Sequence, residues 1–206
     1  LAEATVPLAR ATAMAPALVA LGALLALATG SLAFLGVMAL YLVLTTAYSL
    51  ALKRRVVIDI CVLAGLYTLR IVAGGVATGT TLSVWLLAFS IFFFLSLAAV
   101  KRLGELAALP EDGPGQAAGR AYRRDDRGIV ATMAVAAGYL AVLVLALYLD
   151  TPQVRALYSE PALLWGVCPV LLYWVSRMAL IADRGTMSDD PILFALTDRA
   201  SWAAGG

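Results

Sequence analysis

The stretch LSVWLLAFSIFFFLSLAAVKRLGE, from Leu82 to Glu105, decides the fold class of this chain. The part Leu82–Val100 contains no charged residue, and the bases Lys101 and Arg102 follow it directly. A helix needs about 20 apolar residues to cross about 30 Å of hydrocarbon. The stretch lacks the regular alternation of apolar and polar residues that is typical of a membrane β-strand. It therefore predicts a transmembrane α-helix with a charged end.

Similar apolar segments occur on both sides of this stretch, and the first of them is the shortest. Charged residues make up 14% of the 206 residues, whereas a soluble domain carries about 25%. The composition and the segments predict an all-α, polytopic transmembrane helical bundle of about six spans, forming a single transmembrane domain over residues 1–206. The other five predicted spans are Met14–Thr29, Leu32–Leu52, Val57–Ala77, Ile129–Leu149 and Leu163–Ala182.

The distribution of Lys and Arg predicts the orientation of the bundle. If the six spans alternate in direction, twelve bases between Arg10 and Arg199 lie on one side, and Arg155 lies alone on the other. The side that is rich in Lys and Arg usually faces the cytoplasm. We therefore expect a multi-pass protein of the cell (inner) membrane, with the loop 101–127 and any chemistry in water on the cytoplasmic side.

Several classes of site are excluded by composition. The chain contains no His, which rules out Ser-His-Asp triads, His-ligated zinc and His-bound haem. Its two cysteines, Cys61 and Cys168, both lie in apolar segments, so a disulfide scaffold or a CxxC metal site is excluded. A formal net charge of +2 argues against a strongly basic nucleic-acid-binding protein.

Arg70 is the most informative single residue, because it lies inside a predicted span. An Arg near the middle of the bilayer costs at least ~2.5–3.5 kcal/mol unless it has a partner. Asp59 lies eleven residues earlier on the same helical face, but about three turns away, so the two side chains cannot touch. A partner on another helix, giving a structural ion pair or carbonyl contact, and an anionic ligand are both compatible with this position.

A second group of polar residues follows one face of the span Leu32–Leu52. Tyr41, Thr45 and Tyr48 are spaced i, i+4 and i+7, and Lys53 follows at the membrane edge. An aromatic belt with bases that snorkel is by itself enough to explain Lys53 and the following Arg54. The deeper Tyr41 and Thr45 favour a face that lines a cavity. Arg177, near the end of the last span, either snorkels or lines the same cavity.

A third group lies at the end of the span that opened this section. Lys101 and Glu105 are one helical turn apart, and Arg102 lies beside them. They form either an ordinary i,i+4 surface pair or a functional site. In a functional site Glu105 would bind Mg²⁺, which takes one or two carboxylates together with substrate phosphates. The bases would bind the phosphate oxygens.

Several of these stretches, in this order, resemble the UbiA family of integral-membrane prenyltransferases, and are most similar to its decaprenyl-phosphate phosphoribosyltransferase-like branch. The resemblance implies nine transmembrane helices around a cavity open to the cytoplasm, of which this chain would supply the third to the eighth. We therefore expect a fragment that is truncated at both ends. An NDxxD motif would lie upstream of Leu1. The stretches are Tyr48–Lys53, Val57–Asp59, Arg70–Thr78, Leu82–Trp85, Lys101–Glu105 and Asp189–Arg199.

The resemblance also implies chemistry. Family members bind a polyprenyl phosphate or diphosphate through Mg²⁺ and two Asp-rich motifs, the second of which usually reads DxxxD. Here that place reads KRLGE, which is similar to the branch that transfers a phosphoribosyl group to polyprenyl phosphate. The resemblance implies that Lys101 and Glu105 are catalytic, that Glu105 binds Mg²⁺, and that bases bind phosphate. These bases are Lys53, Arg70 and Arg102.

Two other functions stay open at this point. Prenyl transfer from a diphosphate to an aromatic or quinone-type acceptor uses the same fold. A small-molecule transporter is an alternative of another class, in which Arg70 and Asp59 would line the substrate path. The absence of an evident inverted repeat argues against transport. Because the upstream carboxylates are not in this chain, we expect residues 1–206 alone to show no turnover.

Overall fold

The computed structural model describes residues 8–110, 121–158 and 161–187. The elements within these ranges are eight α-helices and two short 3-10 turns, Leu52–Arg54 and Arg124–Asp126. The α-helices are α1 (Leu8–Ala28), α2 (Leu32–Leu50), α3 (Ile58–Thr78), α4 (Val84–Ala107), α5 (Arg127–Leu149), α6 (Pro152–Leu157), α7 (Pro161–Leu164) and α8 (Val167–Asp183).

The protein is an all-α, polytopic helical bundle, as the sequence predicts. Five helical segments in the described residues are long and apolar enough to cross a membrane. The first predicted span, Met14–Thr29, differs: its apolar helical part, Pro16–Ala28, is shorter than the other five. The five long segments are Leu32–Leu50, Ile58–Thr78, Val84–Ala107, Arg124–Leu149 and Ala162–Asp183.

Helix α4 is the central element of the bundle. It packs against α3, α5 and α8, while α2 packs on α3. The contact between α4 and α5 is close because small residues lie at the interface. Ser96 of α4 donates a buried hydrogen bond of 2.7 Å to the carbonyl oxygen of Ala134 in α5. Gly138, one turn further along α5, lies against both Ser96 and Val175 of α8.

The helices that meet in this core alternate in direction, so five helix termini come together. We call this the basic end: α2 ends there, α3 begins, α4 ends, α5 begins and α8 ends. Arg127, the first residue of α5, donates a 2.8 Å hydrogen bond to Asp183, the last residue of α8. Helix α4 runs on to Ala107, so Lys101 and Glu105 are helical rather than part of a loop from 101 to 127. The side of the membrane that this end faces stays a prediction.

Two connections at the opposite end, from α1 to α2 and from α3 to α4, are short and are specified locally by the sequence. The Ser31 and Ser83 side chains cap α2 and α4, each accepting a 3.2 Å hydrogen bond from a backbone N–H in the first turn. Gly79 ends α3 with φ 68°, the left-handed conformation that glycine adopts without a steric cost. These residues therefore set where α2 and α4 begin and where α3 ends.

Candidate functional site

Four polar side chains form one hydrogen-bonded cluster at the basic end. Arg102 Nε donates to Asp59 Oδ2 at 2.5 Å, Arg102 Nη1 pairs with Glu105 Oε1, and Arg102 Nη2 donates to the Tyr48 hydroxyl at 3.2 Å. The Tyr48 hydroxyl in turn donates to Asp59 Oδ1 at 2.8 Å. Arg102 is 1% exposed and Asp59 is fully buried. We call these four residues the Arg102 cluster.

The cluster joins three helices because of where each residue lies in its helix. Tyr48 is in the last turn of α2, Asp59 is in the first turn of α3, and Arg102 and Glu105 are near the end of α4. A carboxylate in the first turn of a helix interacts favourably with the helix dipole. The planar guanidinium presents five N–H groups, enough to reach all three partners at once. The sequence predicts a pair between Lys101 and Glu105 at i,i+4. The structure shows that Glu105 pairs with Arg102 at i,i+3.

A strained turn leads into this cluster. Val57 has φ 67° and ψ −48°, and the Ile58 N–H donates to the Val56 carbonyl at 2.8 Å, which is the geometry of a γ-turn. A β-branched residue rarely adopts a positive φ. The Val57 N–H donates at 2.8 Å to the hydroxyl of Tyr122, a residue that is 1% exposed. The connection between α4 and α5 therefore holds the start of α3, two residues before Asp59.

We expect Tyr122→Phe to lower the free energy of unfolding by about 0.5–1.5 kcal/mol at pH 8, because the part-buried hydrogen bond from the Val57 N–H to the Tyr122 hydroxyl is lost. Burial raises the pKa of the Tyr122 hydroxyl, although the Val57 N–H opposes that shift. The hydroxyl is therefore protonated at neutral pH, and its contribution to stability falls as pH rises above about 10, the ordinary tyrosine value. Denaturant titration of detergent-solubilised protein at pH 8 and pH 11 measures both effects.

The matched control is Tyr158→Phe, since Tyr158 is 47% exposed. That variant should leave the unfolding free energy unchanged. Equal losses for both variants, or a difference between wild type and Tyr122→Phe that stays the same from pH 8 to pH 11, would contradict the role of the Tyr122 hydroxyl.

The predicted lysines lie beside the Arg102 cluster. Lys101 precedes Arg102 on α4 and is half-buried. Lys53 lies in the 3-10 turn Leu52–Arg54, within the connection from Tyr48 to Asp59, and is also half-buried. The Glu105 side chain is 32% exposed, so it is the carboxylate of the cluster that reaches the surface. The Arg102 cluster therefore combines a buried guanidinium with a part-exposed carboxylate, Glu105, and two half-buried lysines are near it in the sequence.

Arg70 belongs to a different group, further along α3, and is exposed on the surface of the bundle. Its Nε and Nη2 atoms donate to the Tyr41 hydroxyl at 3.0 and 2.6 Å. Its guanidinium carbon lies 4.8 Å from the centre of the Tyr67 ring and 5.5 Å from that of Tyr41. Eleven residues separate Arg70 from Asp59, which is about 16 Å along α3. The structure therefore does not bring Arg70 to the Arg102 cluster.

The remaining predicted residues have other surroundings. Thr45 lies between Tyr41 and Tyr48 on α2, and its buried hydroxyl has no hydrogen-bond partner in the part of the chain that the structure describes. Arg177 is half-buried on α8, which packs on α4 and α5. The stretch Asp189–Arg199 lies outside the described residues. Tyr67 and Tyr122 were not predicted; Tyr67 could have been found from its i,i+3 spacing to Arg70.

The described residues do not by themselves fit a magnesium site. Among residues 8–110, 121–158 and 161–187 there is no group of three or more Asp, Glu, Cys or His side chains that could hold a metal ion. One oxygen of Glu105 already pairs with Arg102, and both oxygens of Asp59 accept hydrogen bonds. Mg²⁺ binding through Glu105 thus stays a prediction that requires further ligands.

No protein-family model matches the chain. The chain is 38% identical over 187 residues to nodulation protein NoeC of Azorhizobium caulinodans, covering 89% of this chain and 60% of NoeC. It is 44% identical over 70 residues to decaprenyl-phosphate phosphoribosyltransferase of Mycobacterium tuberculosis, covering 34% of this chain and 23% of that protein. The enzyme of the same name from Corynebacterium glutamicum is 38% identical over 107 residues, which are 52% of this chain and 32% of that protein. The chain thus spans between about a quarter and three fifths of these relatives.

Proposed function

We propose that this chain forms part of a UbiA-family membrane transferase that acts on a polyprenyl phosphate and transfers a phosphoribosyl group to it. The arrangement at the basic end carries the proposal, because the half-buried Lys101 and the part-exposed Glu105 lie on either side of the buried Arg102 on α4, and the half-buried Lys53 lies in the connection between Tyr48 and Asp59. The partial similarity to decaprenyl-phosphate phosphoribosyltransferases supports the same substrate class. We further propose that this end faces the cytoplasm in the inner membrane, in agreement with the distribution of bases.

The residues of the basic end divide into two roles. Arg102 is held by Asp59, Glu105 and Tyr48, so we assign it as a positioning residue that orients the end of α4 rather than as a direct phosphate ligand. Lys101 and Lys53 carry the positive charge that binds phosphate oxygens. Charges that are held in place in a site poor in water stabilise a transition state better than bulk water does.

The proposed reaction needs little proton transfer. An oxygen of the polyprenyl phosphate attacks the anomeric carbon of an activated ribose, a C–O bond forms there, and the bond to the diphosphate leaving group breaks. A phosphate oxygen is already anionic, so no strong general base is required. Mg²⁺, bound by Glu105 together with phosphate oxygens, would neutralise charge on the diphosphate. The apolar helix faces would bind the isoprenoid chain.

The test uses membranes that contain the protein at its natural full length. We expect labelled phosphoribosyl diphosphate to yield a labelled lipid when polyprenyl phosphate is added. Lys101→Met and Glu105→Gln should each lower turnover by about 10²–10³-fold, the cost of removing one electrostatic group in other enzymes. Arg155→Gln is the control, because Arg155 lies at the opposite end and its side chain is 63% exposed in an ion pair with Asp150.

Two outcomes would overturn the proposal. Turnover only with polyprenyl diphosphate and an aromatic acceptor would assign the chain to aromatic prenyl transfer. Flux of a solute into proteoliposomes without any chemical product would assign it to transport. Unchanged turnover in Glu105→Gln, with unchanged dependence on Mg²⁺, would remove Glu105 from the site.

A further inference from the structure

A groove between α2 and α3 contains one charged residue, Arg70. Its cavity has a volume of about 370 Å³. Apart from Arg70 and Tyr41 its lining is apolar, with Phe34 and Met38 from α2 and Ala73 and Ala77 from α3 among the lining residues. A cation on such a surface, inside a transmembrane helix, is costly unless something anionic is bound to it.

The guanidinium of Arg70 has no carboxylate partner among the described residues. All of its described contacts are with Tyr41 and Tyr67. The Tyr41 hydroxyl accepts from Nε and Nη2, which leaves both protons of Nη1 and one of Nη2 without an acceptor in the described part of the chain. The hydroxyl of Tyr41 retains its own proton as a further donor. Several donors therefore converge beside an apolar groove.

Neighbouring rings hold these donors in a fixed orientation. The guanidinium lies over the ring of Tyr67, and that ring stacks on Phe94 of α4 with a distance of 5.2 Å between ring centres. A planar guanidinium stacked on an aromatic face loses little further freedom when it binds an anion. The rings therefore hold the guanidinium in one orientation before any ligand binds.

We propose that Arg70 and Tyr41 bind the phosphate group of a lipid whose chains occupy the groove, at a site separate from the basic end. The three free N–H groups and the Tyr41 hydroxyl match the several terminal oxygens of a phosphate monoester better than the two of a carboxylate. The phosphate comes either from a membrane phospholipid such as phosphatidic acid or from a polyprenyl phosphate. The site does not depend on the proposed transferase function, because it lies about 16 Å along α3 from Asp59.

The experiment measures lipid binding to the purified chain in detergent by native mass spectrometry. The probes are dioleoyl phosphatidic acid, farnesyl phosphate, dioleoyl phosphatidylcholine and inorganic phosphate. We expect both lipid phosphate monoesters to bind and phosphatidylcholine to bind weakly. Arg70→Gln should weaken phosphatidic acid binding about 10- to 100-fold, the effect of losing a charge-assisted hydrogen bond. Tyr41→Phe should weaken that binding less, since it keeps the ring.

Two matched variants separate this site from others. Arg155→Gln removes an exposed Arg in α6 that pairs with Asp150 and should change nothing. Lys101→Met should leave phosphatidic acid binding unchanged, so failure of the transferase proposal would not affect this result. Unchanged binding in Arg70→Gln would overturn the inference. Equal binding of phosphatidylcholine would show an apolar groove only, and equal binding of inorganic phosphate would exclude a lipid site.

Discussion

Replacing Asp59 by Ala is expected to lower the free energy of unfolding by about 3–5 kcal/mol, the usual cost of removing one partner of a buried ion pair, because Arg102 keeps only the part-exposed Glu105 as a carboxylate partner. Arg102 is 1% exposed and would lose the acceptor of its Nε proton. The Tyr48 hydroxyl would lose its acceptor as well. The loss is measured by denaturant unfolding of the protein in detergent micelles, followed by tryptophan fluorescence.

The double variant Asp59→Ala with Arg102→Met makes this prediction specific. If the cost comes from a buried charge that has lost its buried partner, the double variant is more stable than the sum of the two single losses implies, because neither Asp59 nor Arg102 remains buried without the other. Asp59→Asn, which keeps the size of the side chain, gives a measurable loss even if Asp59→Ala fails to fold.

The control for this cycle is an ion pair of the same chemistry on the surface. Asp150 and Arg155 pair at the opposite end with side chains that are 62% and 63% exposed. Asp150→Ala should cost no more than about 1 kcal/mol. Similar losses for Asp59→Ala and Asp150→Ala, or strict additivity in the double variant, would show that the Arg102 cluster is not a cooperative buried unit.

The sequence predicts the faces of helices well, because side chains follow the helical period. The spacing of Tyr41 and Tyr48 places them on one face of α2, and the spacing of Asp59 and Arg70 does the same on α3. The structure brings these two faces together, Tyr48 with Asp59 and Tyr41 with Arg70. It also agrees with the expectation that Asp59 and Arg70 do not touch each other.

The partners across helices could not be predicted, since they depend on how two helices are shifted relative to each other. Arg102, expected to bind phosphate directly, lies instead at the centre of a buried cluster. The γ-turn at Val57 and its contact with Tyr122 have no periodic signal, because both residues lie outside the helices. The short helices α6 and α7 were not predicted, because six and four residues are too few to show a helical period of apolar residues.

Gly138→Ala is expected to lower the free energy of unfolding by about 1–3 kcal/mol, the usual cost of overpacking a tight interface. A Cβ atom at this position would lie 2.2 Å from Val175 Cγ1 and 2.9 Å from Ser96 Oγ. Val175 is 2% exposed and cannot turn into open space. Helix α5 would therefore have to move away from α4 and α8, which the same denaturant titration would detect.

Gly128→Ala in the same helix is the matched control, because nothing lies within 4 Å of its added Cβ. There the replacement should raise stability by up to about 1 kcal/mol, the difference in helix propensity between the two residues. The two variants thus differ in sign. Combining Gly138→Ala with Val175→Ala should recover part of the loss by making room. Equal effects at both glycines would contradict the close contact. A loss confined to Gly138 would show that close packing of α5 supports α4, the helix that carries Arg102.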